Sequence, residues 1–390
     1  MIKKLQDLDL NQKTVLVRCD FNVPMSGQVI EDDTRIQKAL PTIQYLLNHH
    51  ARVILMSHLG RPKEGVLDMQ FSLKPIAERL SQLLQKPVTL TKNLDDCATH
   101  AHDFDQIVML ENVRFNRGEK VNDVQLAKQY AGLADVFVMD AFGTAHRAQA
   151  STTGVAEQSH EKALGLLMSE ELKHLTPLIN DPKKPLLAII GGSKISTKLS
   201  LLQALLHKVD RLIIGGGMAN TFLQAQGYAI GKSLTENSLV SEAKALLDEA
   251  ATKNISIGLP VDVVVVKKFD PEAPAVIKLI GDIAADDIVI DVGPESSKNY
   301  ALLVDGAKTI IWNGPVGIVE WSSAEKGTQA LGKSIAKSNA VTIAGGGDTI
   351  AFINQHQLAE HLDYLSTGGG AFLAFLEGKT LPAVTALQSS

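Results

Sequence analysis

Short apolar runs of strand length recur along the chain: Thr14 to Val17, Val53 to Met56, Ile107 to Leu110, Val136 to Met139, Leu186 to Ile190, Leu212 to Ile214, Val261 to Val266, Ile288 to Val292, Thr309 to Trp312 and Val341 to Ala344. They are rich in Val and Ile and apolar throughout instead of alternating, which predicts strands buried on both faces. Between many of them lie amphipathic stretches of helical length, such as Ser72 to Leu84, Glu236 to Ala251 and Ser323 to Lys337. Strands alternating with helices predict an α/β fold, parallel sheets with helices on both sides. The run Val261 to Val266 reads as core. A helical pattern from Glu161 to Leu178 is followed by Asn180-Asp181-Pro182-Lys183-Lys184-Pro185, whose prolines should stop the helix and restart the chain as a strand.

Length sharpens this picture. A chain of 390 residues exceeds what one core usually spans. The break after the long helix predicts two doubly wound, Rossmann-like domains joined by that helix, residues 1–170 and 171–374. Composition is that of a globular protein, 45% hydrophobic and 21% charged, with a net charge of -5. Such a chain has no global attraction for nucleic acid or an anionic membrane, so any anion must meet a local concentration of Lys and Arg. Cys19 and Cys97 form no CxxC pair, which argues against a disulfide framework and a cysteine zinc site. Residues 1–11 lack the apolar core of a secretory signal, no apolar stretch is long enough for a bilayer, and the expected location is cytoplasmic.

In open α/β sheets ligands bind beyond the carboxyl ends of the strands. In the first half the apolar runs lead into Arg18-Cys19-Asp20-Phe21-Asn22, Ser57-His58-Leu59-Gly60-Arg61, Glu111-Asn112-Val113-Arg114 and Asp140 to Arg147. Arg18, Arg61, Arg114 and Arg147 follow strands and Arg35 stands at the start of a predicted helix, so five arginines converge on one edge. Guanidinium forks suit phosphate and carboxylate bidentately, so this edge predicts a small, strongly anionic ligand. His58 taken alone is either a capping or core histidine or part of that anion site. Cys19 reads as a small buried hydrophobe.

In the second half the runs lead into Gly191-Gly192-Ser193-Lys194, Gly215-Gly216-Gly217, Asn313-Gly314-Pro315-Val316-Gly317 and Gly345-Gly346-Gly347-Asp348-Thr349, and Gly368-Gly369-Gly370 precedes the last helices. Glycines at strand-to-helix turns either serve close packing or let backbone N–H groups approach a phosphate; three triplets in one half favour the second. Asp348 either caps its helix or meets a metal. Lys194 and Lys198 lie four apart and are expected on one helical face, addressing adjacent phosphoryl groups. GxGxxG is incomplete at Gly215 to Asn220, which weakens a dinucleotide reading. An arginine-rich half and a glycine-rich half together suggest phosphoryl transfer between a nucleotide and an anionic acceptor. An acceptor carboxylate, already ionised, needs no catalytic base.

The chain resembles the phosphoglycerate kinase family in RCDFNVP at 18–24, SHLGRP at 57–62, LENVRF at 110–115, the stretches 191–198, 215–222 and 345–349, WNGP at 312–315 and STGGG at 366–370. The resemblance implies reversible transfer between 1,3-bisphosphoglycerate with MgADP and 3-phosphoglycerate with MgATP, in glycolysis and its reverse. It also implies a monomer whose domains close about a hinge, with a ligand cleft between them and a C-terminal tail, about 375–390, packed back on the first domain. By that pattern Arg18, Asp20, Asn22, Arg35, His58, Arg61, Arg114 and Arg147 hold the phosphoglycerate. Gly192, Lys194, Lys198, Gly215, Gly216, Asn313, Gly317, Glu320, Gly346, Gly347, Asp348 and Thr349 serve the nucleotide, with Asp348 on Mg²⁺. Arg35 and Lys198, helped by Gly369 and Gly370, stabilise the phosphoryl group in flight. Two departures stand out: Thr197 replaces a common Asp, and Ala383 follows Leu381-Pro382 where Gly is common. The competing class is a non-catalytic two-lobe protein that binds a nucleotide and an anion.

Overall fold

The Val- and Ile-rich runs condense into two all-parallel sheets, each the spine of its own compact unit. The computed structural model describes residues 2–100 and 107–388. One unit runs to Lys173 and resumes at Lys379; the other spans His174–Gly378. Residues 1, 389 and 390, the outer ends of the expected ranges, lie outside the described residues.

The first unit carries β1 (Thr14–Arg18), the short hairpin β2 (Met25–Ser26) and β3 (Val29–Ile30), then β4 (Arg52–Met56), β5 (Val88–Thr91), β6 (Ile107–Leu110), β7 (Val136–Met139) and β8 (Glu161–Leu164). Six of these form the sheet in the order β5-β6-β4-β1-β7-β8. Helices Thr34–Asn48 and Lys74–Leu84 bury Ile36, Ile43, Leu46, Ile76 and Leu80 in the core that this sheet builds. The final helix, Pro382–Gln388, belongs to this unit, and the Ala383 N–H donates to the Ala145 carbonyl at 3.2 Å.

The second unit carries β9 (Leu186–Gly191), β10 (Arg211–Gly215), β11 (Ser256–Gly258), β12 (Asp262–Val266), β13 (Val276–Leu279), β14 (Ile288–Val292), β15 (Thr309–Asn313), β16 (Val341–Gly345) and β17 (Tyr364–Ser366). Its main sheet has the order β11-β10-β9-β15-β16-β17. This is the dinucleotide-fold arrangement, in which the chain starts at the centre, builds outward to one side, then returns to build the other. The point of reversal falls between β9 and β15. Trp312 on β15 is fully buried, packs edge-on to Phe352 and donates its indole N–H to the Gly314 carbonyl at 3.0 Å.

Two readings of the sequence need correction. Glu161–Leu164 is a strand paired with β7, and the helix starts only at Leu166. Gly165 separates the two because a side chain there would strike the Asp140 carboxylate. The runs at 261–266 and 288–292 do not join a parallel sheet: β12 pairs antiparallel with both β13 and β14. Val263 and Val265 are core, but Val261 is exposed. Apolar composition reports burial and carries no information on strand direction.

Asp140, at the end of β7, accepts from the Met168 N–H at 3.1 Å and so closes the start of helix Leu166–Asn180. Burial pushes its carboxyl up to about 7. A raised folded value means that the contribution of this group is complete below the ordinary carboxylate range and is lost as pH rises through 7. Asp140→Asn removes that loss. Urea denaturation should show the variant gaining on the wild type by a few kcal/mol between pH 4 and pH 8; a difference that does not vary with pH contradicts this.

Candidate active site

In the first unit the strand ends gather charge around one imidazole. Arg18, the last residue of β1, is fully buried. Its Nε donates to Ser151 Oγ at 2.9 Å, one terminal nitrogen to the Cys19 carbonyl, and the other contacts His58 Nδ1 at 3.3 Å. A guanidinium can only donate, so His58 Nδ1 is the acceptor and the proton sits on Nε2. Burial, then Arg18, Arg114, Arg147 and Arg35, hold His58 well below its ordinary value. It is therefore neutral.

Arg35, in the first turn of helix Thr34–Asn48, donates to Asp20 Oδ2 at 2.9 Å and to the Asn22 carbonyl at 3.1 Å. Asn22 Oδ1 accepts from the Gly60 N–H at 2.8 Å. Arg114 donates to the Gly60 carbonyl, and its guanidinium is lowered to about 10 by burial, then by Arg147 and Arg18. Arg147 Nε donates to His146 Nε2 at 3.1 Å. Arg18, Asp20, Asn22, Arg35, His58, Arg114 and Arg147 are thus brought together, and cation presses on cation. Arg61 stands exposed, two residues past the Leu59 core position, and joins none of these contacts.

Supports around this cluster were not singled out from sequence. Asn112 donates from Nδ2 to the carbonyls of Leu59 and Phe71 at 2.8 and 2.9 Å, and Ser57 Oγ accepts from the Phe21 N–H at 2.8 Å. Each polar group lies within a strand-end segment already noted, but only the fold shows which loop it ties. Glu119 and Ser151, both fully buried, gave no signal because neither follows an apolar run.

In the second unit a cleft of about 980 Å³ opens at the point of strand reversal. Its lining includes Gly192, Lys198, Gly216, Asn313, Gly317, Glu320, Gly346, Gly347, Asp348, Thr349, Gly369 and Gly370. Lys194 and Gly215 are not part of the lining. Lys194 is exposed, and Gly215 is pressed against Val316, where a side chain has no room. The two lysines do not share a helical face: a 3₁₀ turn, Ile195–Thr197, lies between them and the α-helix begins at Leu199. Thr197 uses its hydroxyl to donate to the Lys194 carbonyl at 2.8 Å. Glu236 steadies this turn, accepting from Ser196 N and Oγ at 2.8 and 2.6 Å.

Lys198 reaches back across the reversal point. Its Nζ donates to the Gly191 carbonyl at 2.5 Å, to Asn313 Oδ1 at 2.6 Å and to the Asn313 carbonyl at 3.3 Å. Burial lowers its ammonium to about 8, against an opposing pull from Asp348. Asn313 is itself fixed, donating to the Gly345 carbonyl at 2.6 Å, and Thr349 Oγ1 accepts from the Gly314 N–H at 2.7 Å. Gly216, at φ +70°, turns within van der Waals range of the Gly192 backbone, an approach that any Cβ would block. Asp291, unforeseen from sequence, also lines the cleft, and burial pushes it up to about 7.

A family model described as phosphoglycerate kinase matches residues 5–379. The chain belongs to the phosphoglycerate kinase family. A curated relative of that name from Francisella philomiragia is 53% identical over 385 residues, covering 98% of this chain and 97% of its own. The solved phosphoglycerate kinase of Coxiella burnetii superposes with a TM-score of 0.92 at 48% identity, over 100% of this chain and 99% of that one. The Pyrococcus horikoshii phosphoglycerate kinase gives 0.86 at 29% identity, over 99% and 98%. Within this phosphoglycerate kinase fold, the neutral His58 makes a direct prediction. Its NMR signals should keep the neutral Nε2–H tautomer through the ordinary imidazole range; protonation of His58 within or above that range would contradict the assigned geometry.

Proposed function

We propose that this chain transfers the acyl phosphate of 1,3-bisphosphoglycerate to MgADP, giving 3-phosphoglycerate and MgATP, and runs the reverse reaction. The observation that carries the reading is the pairing of two unlike sites in one chain: a cluster of partly buried guanidiniums in one unit and a glycine-lined cleft with a half-buried ammonium in the other. In this account Arg35, Arg61, Arg114, Arg147 and His58 bind the phosphoglycerate, with Asp20 and Asn22 setting the position of Arg35 and the fully buried Arg18 supporting His58 from behind. Arg61, exposed, would close on the ligand only when it is present.

The cleft would take the nucleotide, its phosphates over Gly192, Gly216 and the Gly346–Thr349 turn and its ribose near Glu320. Lys194, outside the lining, would reach a phosphate only from the rim, and Gly215 would act by letting the strand end pack. No group of three or more metal-ligating side chains occurs among the described residues. A nucleotide-bound Mg²⁺ needs only one or two carboxylates, since the phosphates supply further oxygens. Asp348, exposed in the cleft lining and within electrostatic reach of Lys198, fits that need. The ion would neutralise phosphate charge. A cytoplasmic monomer completes the proposal; its monomeric state rests on the family resemblance alone.

The acceptor carboxylate of 3-phosphoglycerate is ionised at neutral pH, so the chain has no proton to remove and a neutral His58 suffices as a donor. What remains is placement and charge. Lys198 is held by oxygens that an incoming phosphoryl oxygen could replace, and Arg35 keeps its fork oriented by Asp20. Both would gain most where charge spreads over the transferring group.

Incubation with MgATP and 3-phosphoglycerate, trapping acyl phosphate with hydroxylamine, tests the reading. Hydroxamate should require both substrates; nucleotide binding without product would leave a non-catalytic binding protein. Lys198→Ala and Arg35→Ala should each lower kcat by about 10²- to 10³-fold, with smaller effects on KM. Raised KM with unchanged kcat would contradict their assignment. For the free protein, kcat/KM for MgATP should fall above about pH 8 as Lys198 loses its proton. Lys198→Arg should move that limb beyond pH 10, and an unmoved limb would assign it to another group.

A further inference from the structure

Behind the basic cluster lie two charged side chains that the proposed reaction does not use together. Glu119 and Arg18 are both fully buried, yet they do not touch. Ser151 stands between them. Its hydroxyl donates to Glu119 Oε1 at 2.6 Å and accepts from Arg18 Nε at 2.9 Å, and its backbone N–H donates to Glu119 Oε2 at 3.1 Å. The segments are also tied through the backbone, with the Ala150 N–H donating to the Glu119 carbonyl at 3.0 Å. Ser151 sits in a turn of π-helix, Ala150–Gly154, a distortion often found at functional sites.

A direct pair would seat the two-pronged end of Arg18 on the carboxylate and spend its charge there. The intervening hydroxyl engages Nε alone. The terminal nitrogens stay turned toward the Cys19 carbonyl and His58. Glu119 is near enough to make a buried cation tolerable and too far to quench its field. On the footing of the phosphoglycerate role given to this cluster above, we propose that Ser151 and Glu119 are positioning residues: the serine hydroxyl, oriented by the glutamate, fixes Arg18, whose buried guanidinium in turn holds His58 Nδ1 and so sets the donor that His58 offers to the anion.

Ser151→Thr and Ser151→Val have nearly the same shape and differ in the hydroxyl. Calorimetric titration with 3-phosphoglycerate, run beside steady-state kinetics, should show Kd and KM for 3-phosphoglycerate raised roughly tenfold or more in Ser151→Val. Ser151→Thr should recover most of that loss, and KM for MgATP should stay unmoved in both. Equal 3-phosphoglycerate affinities for the two variants would overturn the proposal, because shape alone would then explain the position. If melting shows that neither folds, Glu119→Gln decides: weaker 3-phosphoglycerate binding with unchanged MgATP binding supports the relay, and unaltered binding rejects it. A wild type that binds MgATP but not 3-phosphoglycerate overturns the reading of the cluster itself, an outcome distinct from equal variants.

Discussion

A fully buried cation in one unit and a half-buried one in the other, neither with a carboxylate against it, set the character of both units. Among the described residues, neither Arg18 nor Lys198 has a carboxylate within ion-pair distance; each is held by neutral oxygens or an imidazole instead. Burial of an unpaired charge is costly, and the cost appears here as lowered proton affinity of both groups. A fold that keeps such groups charged is poised for an anion. The rest of each unit supplies the rigidity that prevents these cations from turning elsewhere.

That rigidity begins with strands buried on both faces. β1 ends at Arg18 and β9 at Gly191, each central in its sheet, so the residues that follow emerge at the point of strand reversal. In the second unit the carboxyl ends of β9 and β15 approach so closely that Gly191 and Gly314 tolerate no side chain. Lys198 bridges these two ends. In the first unit the loops after β1, β4 and β6 are tied by Asn22, Gly60, Asn112 and Arg114, each bonding a neighbouring loop. Packing thus determines where charge is displayed, and charge determines what chemistry follows.

Much of this was legible in the sequence because buried parallel strands write themselves as unbroken Val and Ile runs, and because ligand groups follow those runs directly. The strands ending at Arg18, Met56, Leu110, Met139, Gly191, Gly215, Asn313 and Gly345 all belong to that class. Edge strands were harder. Glu161–Leu164 and Tyr364–Ser366 are three or four residues long and carry polar positions, too little for a period to register. Direction was invisible at β12 and β14, since antiparallel pairing uses the same residues. The 3₁₀ turn between Lys194 and Lys198 hid behind a four-residue spacing that suits a helix equally well. Glu119 and Ser151 were illegible for another reason: they act through Arg18 from positions 101 and 133 residues away along the chain, and only folding brings them to it.

The central claim is that the two units divide the anions between them, and calorimetry on paired variants tests it most directly. Arg114→Met should abolish measurable binding of 3-phosphoglycerate and leave MgADP binding intact. Lys198→Met should weaken MgADP binding and leave 3-phosphoglycerate binding intact. If either variant weakens both ligands equally, the charge of each unit does not serve a ligand of its own, and the account fails.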